Sequence, residues 1–539
     1  MARDSDILSR LETLNAIGAA LSSERDLATL LERILETARE FASADGGTLY
    51  RVQGDTLVFE VLRNGTLGYV MGGRHGAPIN FPPLPLHDAE GLGNHGMVVV
   101  HAALTGKTVN VADAYDAPGF DFSGTRAFDA KTGYRSRSFL TVPMKDHDGR
   151  VIGVLQLINS MDADGAVDAF SQSEQQLVES LASQAAIALN NRILVAQLED
   201  LFEALIKLIN TAIDEKSPYT GGHCERVPVL TNLLAEAAER TQVGPLAAFR
   251  MSEKDRYELK IAGLLHDCGK ITTPVHVVDK ATKLHTLFDR IELLDTRFEV
   301  LLRDAEIARL RGECDEPGYR ARVARLHEER EQLRQANTGG EFMDDGKVQA
   351  IERIASQRWR GPDGSEQPFL SAEEVENLCI RRGTLTAAER DVINHHIVMT
   401  IRLLEALPWP AHLRQVPEYA GGHHERMDGK GYPRGLSRDQ MSVPARVMGI
   451  ADIFEALTAS DRPYKPGKTL SESLAILGRM KLDQHVDPDL FDVFLRERVY
   501  LDYARRFLAP AQVDAVDWSR IPGLDAALVA ELTARDAAA

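Results

Sequence analysis

A histidine and an aspartate stand side by side at His266 and Asp267, directly after an apolar run, and Lys270 follows shortly afterwards. An imidazole nitrogen and a carboxylate oxygen from such a pair can bind the same cation, and the carboxylate can also bridge to a second one. The ammonium group of Lys270 is near enough to meet a phosphate. The stretch therefore predicts metal-assisted phosphate chemistry, with His266, Asp267 and Lys270 as candidate catalytic residues.

A short His-Asp pair also occurs by chance, so the prediction of a metal site depends on the residues that follow it. His396 comes first, then an unbroken run from His423 to Pro433 that reads His-His-Glu-Arg-Met-Asp-Gly-Lys-Gly-Tyr-Pro, and then Asp452. Imidazole and carboxylate ligands suit iron, manganese or zinc, whereas magnesium prefers oxygen ligands alone. The spacing indicates a site assembled from distant parts of the chain.

The composition is that of a large globular protein. The chain has 539 residues, of which 44% are hydrophobic and 26% charged, and it is too long for one ordinary domain. Its formal net charge of -18 argues against a nucleic-acid polymer as partner. We see neither a membrane-spanning run nor a signal-peptide core. The scattered cysteines predict reduced thiols and a cytoplasmic location; they are Cys224, Cys268, Cys314 and Cys379.

The first part of the chain predicts an α+β domain. Apolar residues at intervals of three to four predict a helix from about 8 to 42, and a second long helix begins near Ser173. Between them, strands are predicted at 47–52, 57–62, 139–144 and 151–158, with a hairpin turn at 146–149. Together these elements indicate an antiparallel sheet flanked by helices.

This pattern and the segment 134–159 resemble a GAF domain, which we assign to residues 1–190. GAF domains that bind cyclic nucleotides carry an Asn-Lys…Phe…Asp-Glu motif. Asn159, Phe170 and Glu174 fit that motif, while Ser160 and Ser173 stand in place of the Lys and the Asp. The resemblance implies Asn159, Phe170 and Glu174 as candidate residues for a small ligand such as a cyclic nucleotide. The alternative is a structural, dimerising GAF domain without a ligand.

A connecting helix is predicted after this domain, because residues 173–213 contain neither proline nor glycine. Its apolar residues recur about every 3.5 positions, which is typical of a two-stranded coiled coil. We therefore expect a homodimer in which the segment 191–215 carries a signal; the alternative is a helix packed on its own domain. The residues of this stripe are Ile187, Leu194, Leu198, Leu201, Leu205 and Leu208.

The ordered histidines and aspartates, with the run from His423 to Pro433, resemble the HD-GYP family, a branch of the HD-superfamily metal-dependent phosphohydrolases. We assign this all-α domain to residues 216–510 and a tail to 511–539. The resemblance implies two divalent ions, iron or manganese. Tyr219 stands where members with a third metal carry a Glu. The implied ligands are His223, His266, Asp267, His396, His423, His424 and Asp452.

The same resemblance implies hydrolysis of cyclic di-GMP to linear pGpG, with GMP as the alternative end product. It assigns the nucleotide contacts to Lys270, Tyr432, Arg462 and Lys465. Two alternatives stay open: a sensor that binds cyclic di-GMP without turnover and signals through a protein partner at the Gly-Tyr-Pro loop, and an enzyme for another cyclic dinucleotide.

An insertion separates the His-Asp pair from His396, which lies 130 residues after His266. Family members usually have about 30 residues there, so we place a helical insertion at about 284–383. The charged, periodic segments 284–311 and 319–335 predict an antiparallel helical pair, which could form a lid or a partner surface. After it, Thr386 and Glu389 predict a capping box that starts the helix carrying His396.

Overall fold

The computed structural model describes residues 18–21, 23–24, 26–216, 222–242, 244–339, 342–361, 363–460 and 467–537. The chain divides into two compact units, Met1–Glu203 and Ala204–Ala539. The multidomain fold class predicted from the sequence is confirmed, with an α+β first unit and a helical second unit.

The first unit contains an antiparallel sheet in the spatial order β3-β2-β1-β7-β6-β5, with β4 beside β2 and β8 beside β7. The four predicted strands are all present. The remaining strands are short, which is why no alternating pattern revealed them. The strands are β1 (Ala44–Gln53), β2 (Thr56–Asn64), β3 (Tyr69–Gly72), β4 (Leu84–Pro85), β5 (Val109–Val111), β6 (Phe139–Lys145), β7 (Val151–Met161) and β8 (Val167–Asp168).

Helix α1 (Leu27–Phe41) covers one face of this sheet. The side chain of Asp26 caps it by accepting a hydrogen bond from the Thr29 N–H at 2.9 Å. Its apolar stripe, including Leu30 and Ile34, is fully buried against the strands. The first half of the predicted helix at 8–42 lies outside the described residues apart from a helical stretch at 18–21. Two short helices complete the unit: α2 (Val98–Thr105) and α3 (Ser123–Thr132).

The predicted connecting helix is a continuous 45-residue helix, α4 (Gln172–Lys216). Its first turns bury Val178, Leu181 and Ala185 in the core of the first unit. Farther along, the predicted apolar stripe is exposed, and Leu198 and Leu208 present 65% and 64% of their surface. An exposed apolar stripe of this length leaves the coiled-coil prediction open for a second copy of the chain.

The second unit is built mainly from helices, and its buried histidines lie on or beside several of them. Of the described helices, none has both the length and the apolar character needed to cross a membrane. Outside the insertion, the helices are α5 (His223–Arg240), α6 (Glu253–Leu265), α7 (Val275–Val278), α12 (Ala387–Glu405), α13 (Val416–Gly421), α14 (Val443–Thr458), α15 (Leu470–Leu482), α16 (Pro488–Arg496), α17 (Val499–Phe507) and α18 (Ala526–Ala537).

The insertion folds around its own apolar core, which includes Leu294, Phe298 and Phe369. As predicted, it contains a helical pair, α8 (Ile291–Leu310) and α9 (Glu316–Asn337), followed by α10 (Asp345–Ala355) and α11 (Ala372–Leu378). It also contains a hairpin of β9 (Arg358–Arg360) and β10 (Glu366–Pro368), for which the sequence analysis made no prediction.

Candidate metal centre

One cluster of ligand atoms gathers where α5 begins and α6 ends. The Nε2 atom of His223 lies 3.2 Å from Nε2 of His266 and 3.3 Å from Oδ2 of Asp267. Oδ1 of Asp452, on α14, is 3.3 Å from the same His223 nitrogen. All four side chains are buried or nearly so. Two imidazoles and two carboxylates thus converge on one point.

A second cluster joins the middle of α12 to the residues that follow α13. Nε2 of His396 lies 3.2 Å from Nε2 of His424, and the ring of His423 is 4.1 Å from that of His424, centroid to centroid. The ligand nitrogens of His396, His423 and His424 all lie within 4.8 Å of one another. Residues separated by 27 positions along the chain therefore form a second candidate cation site.

Asp267 connects the two clusters. Its Oδ2 atom faces His223, while its Oδ1 atom lies 3.3 Å from Nε2 of His396. This is the placement that a bridging carboxylate needs. The structure therefore brings together all seven side chains that the sequence named as metal ligands: His223, His266, Asp267, His396, His423, His424 and Asp452.

Backbone carbonyls set the tautomer of three of these histidines. The Nδ1 atoms of His266, His396 and His423 lie 2.7, 2.5 and 2.6 Å from carbonyl oxygens three residues earlier. A carbonyl can only accept, so Nδ1 carries a proton, and whenever the ring is neutral the lone pair of Nε2 points into the cluster. This is the tautomer that a metal ligand requires.

The arrangement of lone pairs fits divalent cations. Nε2 of His423 is buried and has no hydrogen-bond partner among the described residues. The Nε2 atoms of His223 and His266 face each other at 3.2 Å, and two unprotonated nitrogens at that distance repel. A cation between such donors satisfies both. The nitrogen-rich donor set suits iron, manganese or zinc better than magnesium.

Glu455, which the sequence analysis did not identify, holds the remaining histidine. Its fully buried carboxylate places Oε2 2.5 Å from Nδ1 of His223 and accepts from Arg226 Nε at 2.6 Å. A carboxylate on the far nitrogen orients a ligating imidazole and raises its basicity. Glu455 follows Asp452 by three residues on α14, so helical periodicity places both on one face.

The clusters differ in protonation in the absence of cations. Burial lowers the pKa of His266, but Asp267 and Asp452 overcome this and raise it to about 9. Burial lowers the pKa of His424 to about 4, and it holds the pKa of His423 well below its usual value, with the neighbouring His424 adding to the effect. Cations entering the first cluster must therefore displace a proton, whereas His423 and His424 of the second cluster present neutral imidazoles.

A close backbone approach positions His396 opposite Asp267. A Cβ atom on Gly269 would come within 2.0 Å of the His396 carbonyl oxygen, so only glycine fits between this turn and α12. The Gly269 N–H donates to Oγ1 of Thr400 at 2.9 Å. Thr400 thereby anchors the turn to α12. The predicted capping box of Thr386 and Glu389 starts the same helix.

The run from His423 to Pro433 forms a loop with internal supports. The buried Glu425 carboxylate accepts from the backbone N–H groups of Arg434 and Leu436 at 2.8 and 2.9 Å. Tyr432 stacks on the ring of His424 at 4.8 Å, with the planes 19° apart. The loop therefore holds an aromatic side chain against a candidate metal ligand.

A cavity of about 500 Å³ opens beside the second cluster. Tyr432, His424 and Asp452 line it, together with Lys430, Lys468 and His485, which the sequence analysis did not identify. Of the predicted nucleotide contacts, Tyr432 lies in the cavity wall, and Lys270 places its ammonium 2.6 Å from Oδ2 of Asp267. The other two, Arg462 and Lys465, lie outside the described residues.

The three candidate GAF ligand residues make structural contacts in the first unit. Asn159 accepts from the Arg137 N–H at 2.7 Å and donates to the Arg135 carbonyl at 2.9 Å, although it also lines a cavity of about 350 Å³. Phe170 is buried in the core. Glu174 accepts from the Ser171 N–H at 2.7 Å and so caps α4. Structural demands alone account for all three residue types.

Comparison with protein families agrees with the division of the chain. A family model for the GAF domain matches residues 26–189. Two models described as HD domain match residues 220–340 and 372–490. The interval between the two HD matches lies within the insertion, and the matches contain all seven clustered side chains.

Several curated bacterial proteins are similar to parts of the chain. The 3'3'-cGAMP-specific phosphodiesterase 3 of Vibrio cholerae is 26% identical over 54% of this chain and 39% of its own length. The cyclic di-GMP phosphodiesterase response regulator RpfG of Xanthomonas campestris is 30% identical over 32% of this chain and 49% of its own. The cyclic di-GMP phosphodiesterase of Thermotoga maritima is 32% identical over 24% of this chain and 35% of its own. The chain thus spans less than half of each of these relatives.

Proposed function

Because the chain joins a GAF domain to an HD domain, we propose that it is an HD-GYP-type phosphodiesterase that hydrolyses cyclic di-GMP under the control of its GAF domain. The product is linear pGpG, with GMP as the alternative end product. The observation that carries this proposal is the carboxylate of Asp267, whose two oxygens face two separate sets of histidine nitrogens.

Two divalent cations, iron or manganese, would polarise a phosphodiester and lower the pKa of a bound water. The residues of this chain supply the rest. His223, His266 and Asp452 would hold one cation and His396, His423 and His424 the other, and Asp267 would offer one carboxylate oxygen to each site. The ammonium of Lys270 balances the negative charge of the Asp267 carboxylate beside it. We assign it the role of donating to a phosphate oxygen of the substrate.

The cavity beside the second cluster suits a nucleotide. Tyr432 offers an aromatic surface next to His424, and Lys430 and Lys468 add cationic groups along the wall. We assign Tyr432 to the base or ribose and the lysines to phosphate oxygens. Arg462 and Lys465 remain nucleotide contacts in this proposal because of the family resemblance alone.

A second candidate substrate has specific support. The Vibrio relative that aligns with 54% of the chain is described as specific for 3'3'-cGAMP, whereas the other two relatives are cyclic di-GMP phosphodiesterases. Both substrates are cyclic dinucleotides with the same phosphodiester bonds. The centre described here would act on either, and the cavity wall would decide between them.

We further propose that the active form is a cytoplasmic homodimer. The exposed apolar stripe of α4 supports the dimer, since a coiled coil with a second copy would bury it. The four cysteines, all within the described residues, form no disulfide, which suits a reducing compartment. In this arrangement α4 is the element that passes a GAF-domain signal onwards, and the Gly-Tyr-Pro loop is the candidate surface for a protein partner.

Turnover assays test the function directly. Purified protein loaded anaerobically with Mn²⁺ or Fe²⁺ is incubated separately with cyclic di-GMP and 3'3'-cGAMP, and the nucleotides are resolved by chromatography. We expect pGpG or GMP from cyclic di-GMP, and none from the Asp267→Ala variant. Faster turnover of 3'3'-cGAMP would select the second substrate. Tight binding without product under either metal would favour the sensor.

A further inference from the structure

Two buried lysines at the start of the insertion differ sharply in their partners. The side chain of Lys280 is 1% exposed, and its ammonium lies 2.7 Å from both carboxylate oxygens of Glu389 and from Oδ1 of Asn377. Lys283 is 2% exposed, yet within the described part of the chain its ammonium donates only to the Leu378 carbonyl at 3.0 Å and lies 3.8 Å from the thioether of Met343. Among the described residues, a carboxylate thus balances the charge of Lys280, whereas no carboxylate balances that of Lys283.

Such an ammonium is costly to bury. It has three N–H donors, and a single carbonyl with a weak thioether acceptor does not satisfy them. Among the described residues, Lys283 forms no ion pair with a carboxylate. Burial lowers the pKa of Lys283 to about 8; the nearby Cys379 works against this shift, and the charge of Lys347 adds to it. A group in this situation is stabilised by any anion that can reach it.

Lys283 lines a cavity of about 400 Å³ between the end of α9 and the start of α10. Two further cations, Lys347 and Arg381, line the same cavity, and Gln335 provides an amide. The carboxylate of Asp344 also lines it, and this carboxylate caps α10 by accepting from the Lys347 backbone N–H at 2.9 Å. Arg381 is paired with Asp345 at 2.6 Å, which leaves Lys283 as the cation most in need of a partner. Phe342 and Ile351 form part of the apolar wall.

We propose that this cavity binds a small organic anion whose carboxylate or phosphate group pairs with the ammonium of Lys283. The cationic lining selects the charge, and the apolar wall accommodates a short carbon skeleton. The site lies in the insertion, away from the two histidine clusters, so its ligand is not the substrate.

The position of the site connects it to the metal centre. The backbone N–H of Lys283 donates to the Asn337 carbonyl at 2.9 Å, which fixes the backbone at this lysine to the end of α9. Three residues earlier in the chain, the ammonium of Lys280 pairs with the carboxylate of Glu389. Glu389 belongs to the capping box of α12, the helix that carries His396. An anion that moves the segment from 280 to 283 therefore acts on the helix of a metal ligand, a consequence that rests on the proposed function.

Calorimetric titration tests the site. Butyrate and inorganic phosphate are titrated separately into the metal-loaded full chain, the Lys283→Met variant and a control, Lys254→Met, which changes an exposed lysine on α6. The phosphate titrations are repeated with Asp267→Ala, so that binding at the metal centre is identified and set apart from binding at Lys283. We expect saturable binding of at least one probe and an affinity about tenfold or more lower in Lys283→Met, with the control unchanged. Equal binding by Lys283→Met, or no binding of either probe to the wild type, overturns the proposal.

Chemical labelling of the wild-type chain keeps the test independent of the variant. Pyridoxal 5'-phosphate condenses with an unprotonated amine with loss of water, borohydride reduces the imine, and peptide mapping locates the adduct. We expect label on Lys283, suppressed by whichever probe binds, and none on the equally buried but ion-paired Lys280. Absence of label on Lys283 contradicts an accessible cavity. Turnover is also measured with and without the probe, to separate the anion site from its effect on the metal centre. Binding without a change in turnover would disprove the link to α12 but not the anion site itself.

Discussion

The carboxylate of Glu455 meets Nδ1 of His223 at 2.5 Å, across a separation of 232 residues. A second interaction, with Arg226, keeps this carboxylate in place at 2.6 Å. Glu455 contacts Nδ1 of His223, whereas Nε2 of the same ring faces the cluster. Glu455 therefore acts on the metal centre from outside it. Positioning, and not ligation, is therefore the role that the geometry gives Glu455.

Replacing Glu455 with glutamine should weaken cation binding without removing a ligand. The amide still fills the space, but it no longer stabilises the His223 proton on Nδ1, so we expect the affinity for Mn²⁺ to fall by about 10- to 100-fold. Calorimetric titration of metal into apo-protein measures this. Glu225→Gln, an exposed change on the same helix as His223, is the matched control. Unchanged affinity in Glu455→Gln would show that the short contact has no bearing on the metal centre.

Asp267 and His396 should differ in how many cations their loss removes. His396→Ala takes one nitrogen from the second cluster, whereas Asp267→Ala takes an oxygen from both. We expect metal analysis to find about one cation per chain in His396→Ala and close to none in Asp267→Ala. Turnover should fall by about a thousandfold or more in Asp267→Ala. Two bound cations in Asp267→Ala would refute the bridging role.

The residues that carry local chemistry could be predicted from the sequence, and those defined by distant packing could not. The histidines and aspartates stand in short, recognisable groups, and the structure gathers them as predicted. Glu455 belongs to no such group, since its meaning depends on His223, far away along the chain. Lys283 likewise looks like any lysine until the fold buries it beside Met343 and the Leu378 carbonyl.

The fold shows the same division. The long strands β1, β2, β6 and β7 and the helix α4 have enough repeats for their periodicity to identify them. The two- to four-residue strands and the hairpin of the insertion carry no periodic signal. Asn159 shows a different limit: it matches a ligand motif and lines a cavity, and its amide also bonds the backbone at Arg137 and Arg135, so its role as a ligand residue stays a prediction. An asparagine that matches a ligand-binding motif can also be required for hydrogen bonds to the backbone of a turn.

Breaking the Lys280–Glu389 pair should destabilise the second unit. Glu389→Gln keeps a side chain that can serve the capping box, but it leaves the ammonium of Lys280 buried without a carboxylate. We expect a loss of about 2–3 kcal/mol in the free energy of unfolding, measured with urea. The double variant Lys280→Met with Glu389→Gln should recover part of this loss, because the buried charge is gone. A single variant as stable as the wild type would mean that the pair contributes nothing.

Charges placed on the apolar stripe of α4 should prevent dimerisation. Leu198 and Leu205 are exposed by 65% and 49% and lie one heptad apart, so glutamates at both positions would face each other in a two-stranded coil. We expect sedimentation equilibrium at micromolar concentration to give twice 59.4 kDa for the wild type and 59.4 kDa for the double variant. Lys207→Glu, off the stripe, should remain a dimer. A monomeric wild type would rule out the coiled coil.

Lys283→Met should stabilise the chain at neutral pH and lose that advantage in alkali. The pKa of Lys283 is lowered to about 8 by burial, while an unfolded lysine titrates near about 10.4. Between these values the unfolded wild type binds a proton that the folded form has released, so wild-type stability rises with pH across this window. Below pH 8 the wild type carries the full cost of the buried charge.

Methionine carries no such cost and fills a similar space. In phosphate-free buffer at pH 7 we therefore expect Lys283→Met to exceed the wild type by up to about 3 kcal/mol in the free energy of unfolding, falling towards zero above pH 10.4. Urea titrations at a series of pH values, compared with Lys254→Met, isolate the effect of the buried lysine. A difference that does not change with pH would show that the ammonium of Lys283 already has a compensating anion. The same titrations in butyrate should reduce the difference, because an anion bound by the wild type offsets the buried charge that the variant lacks.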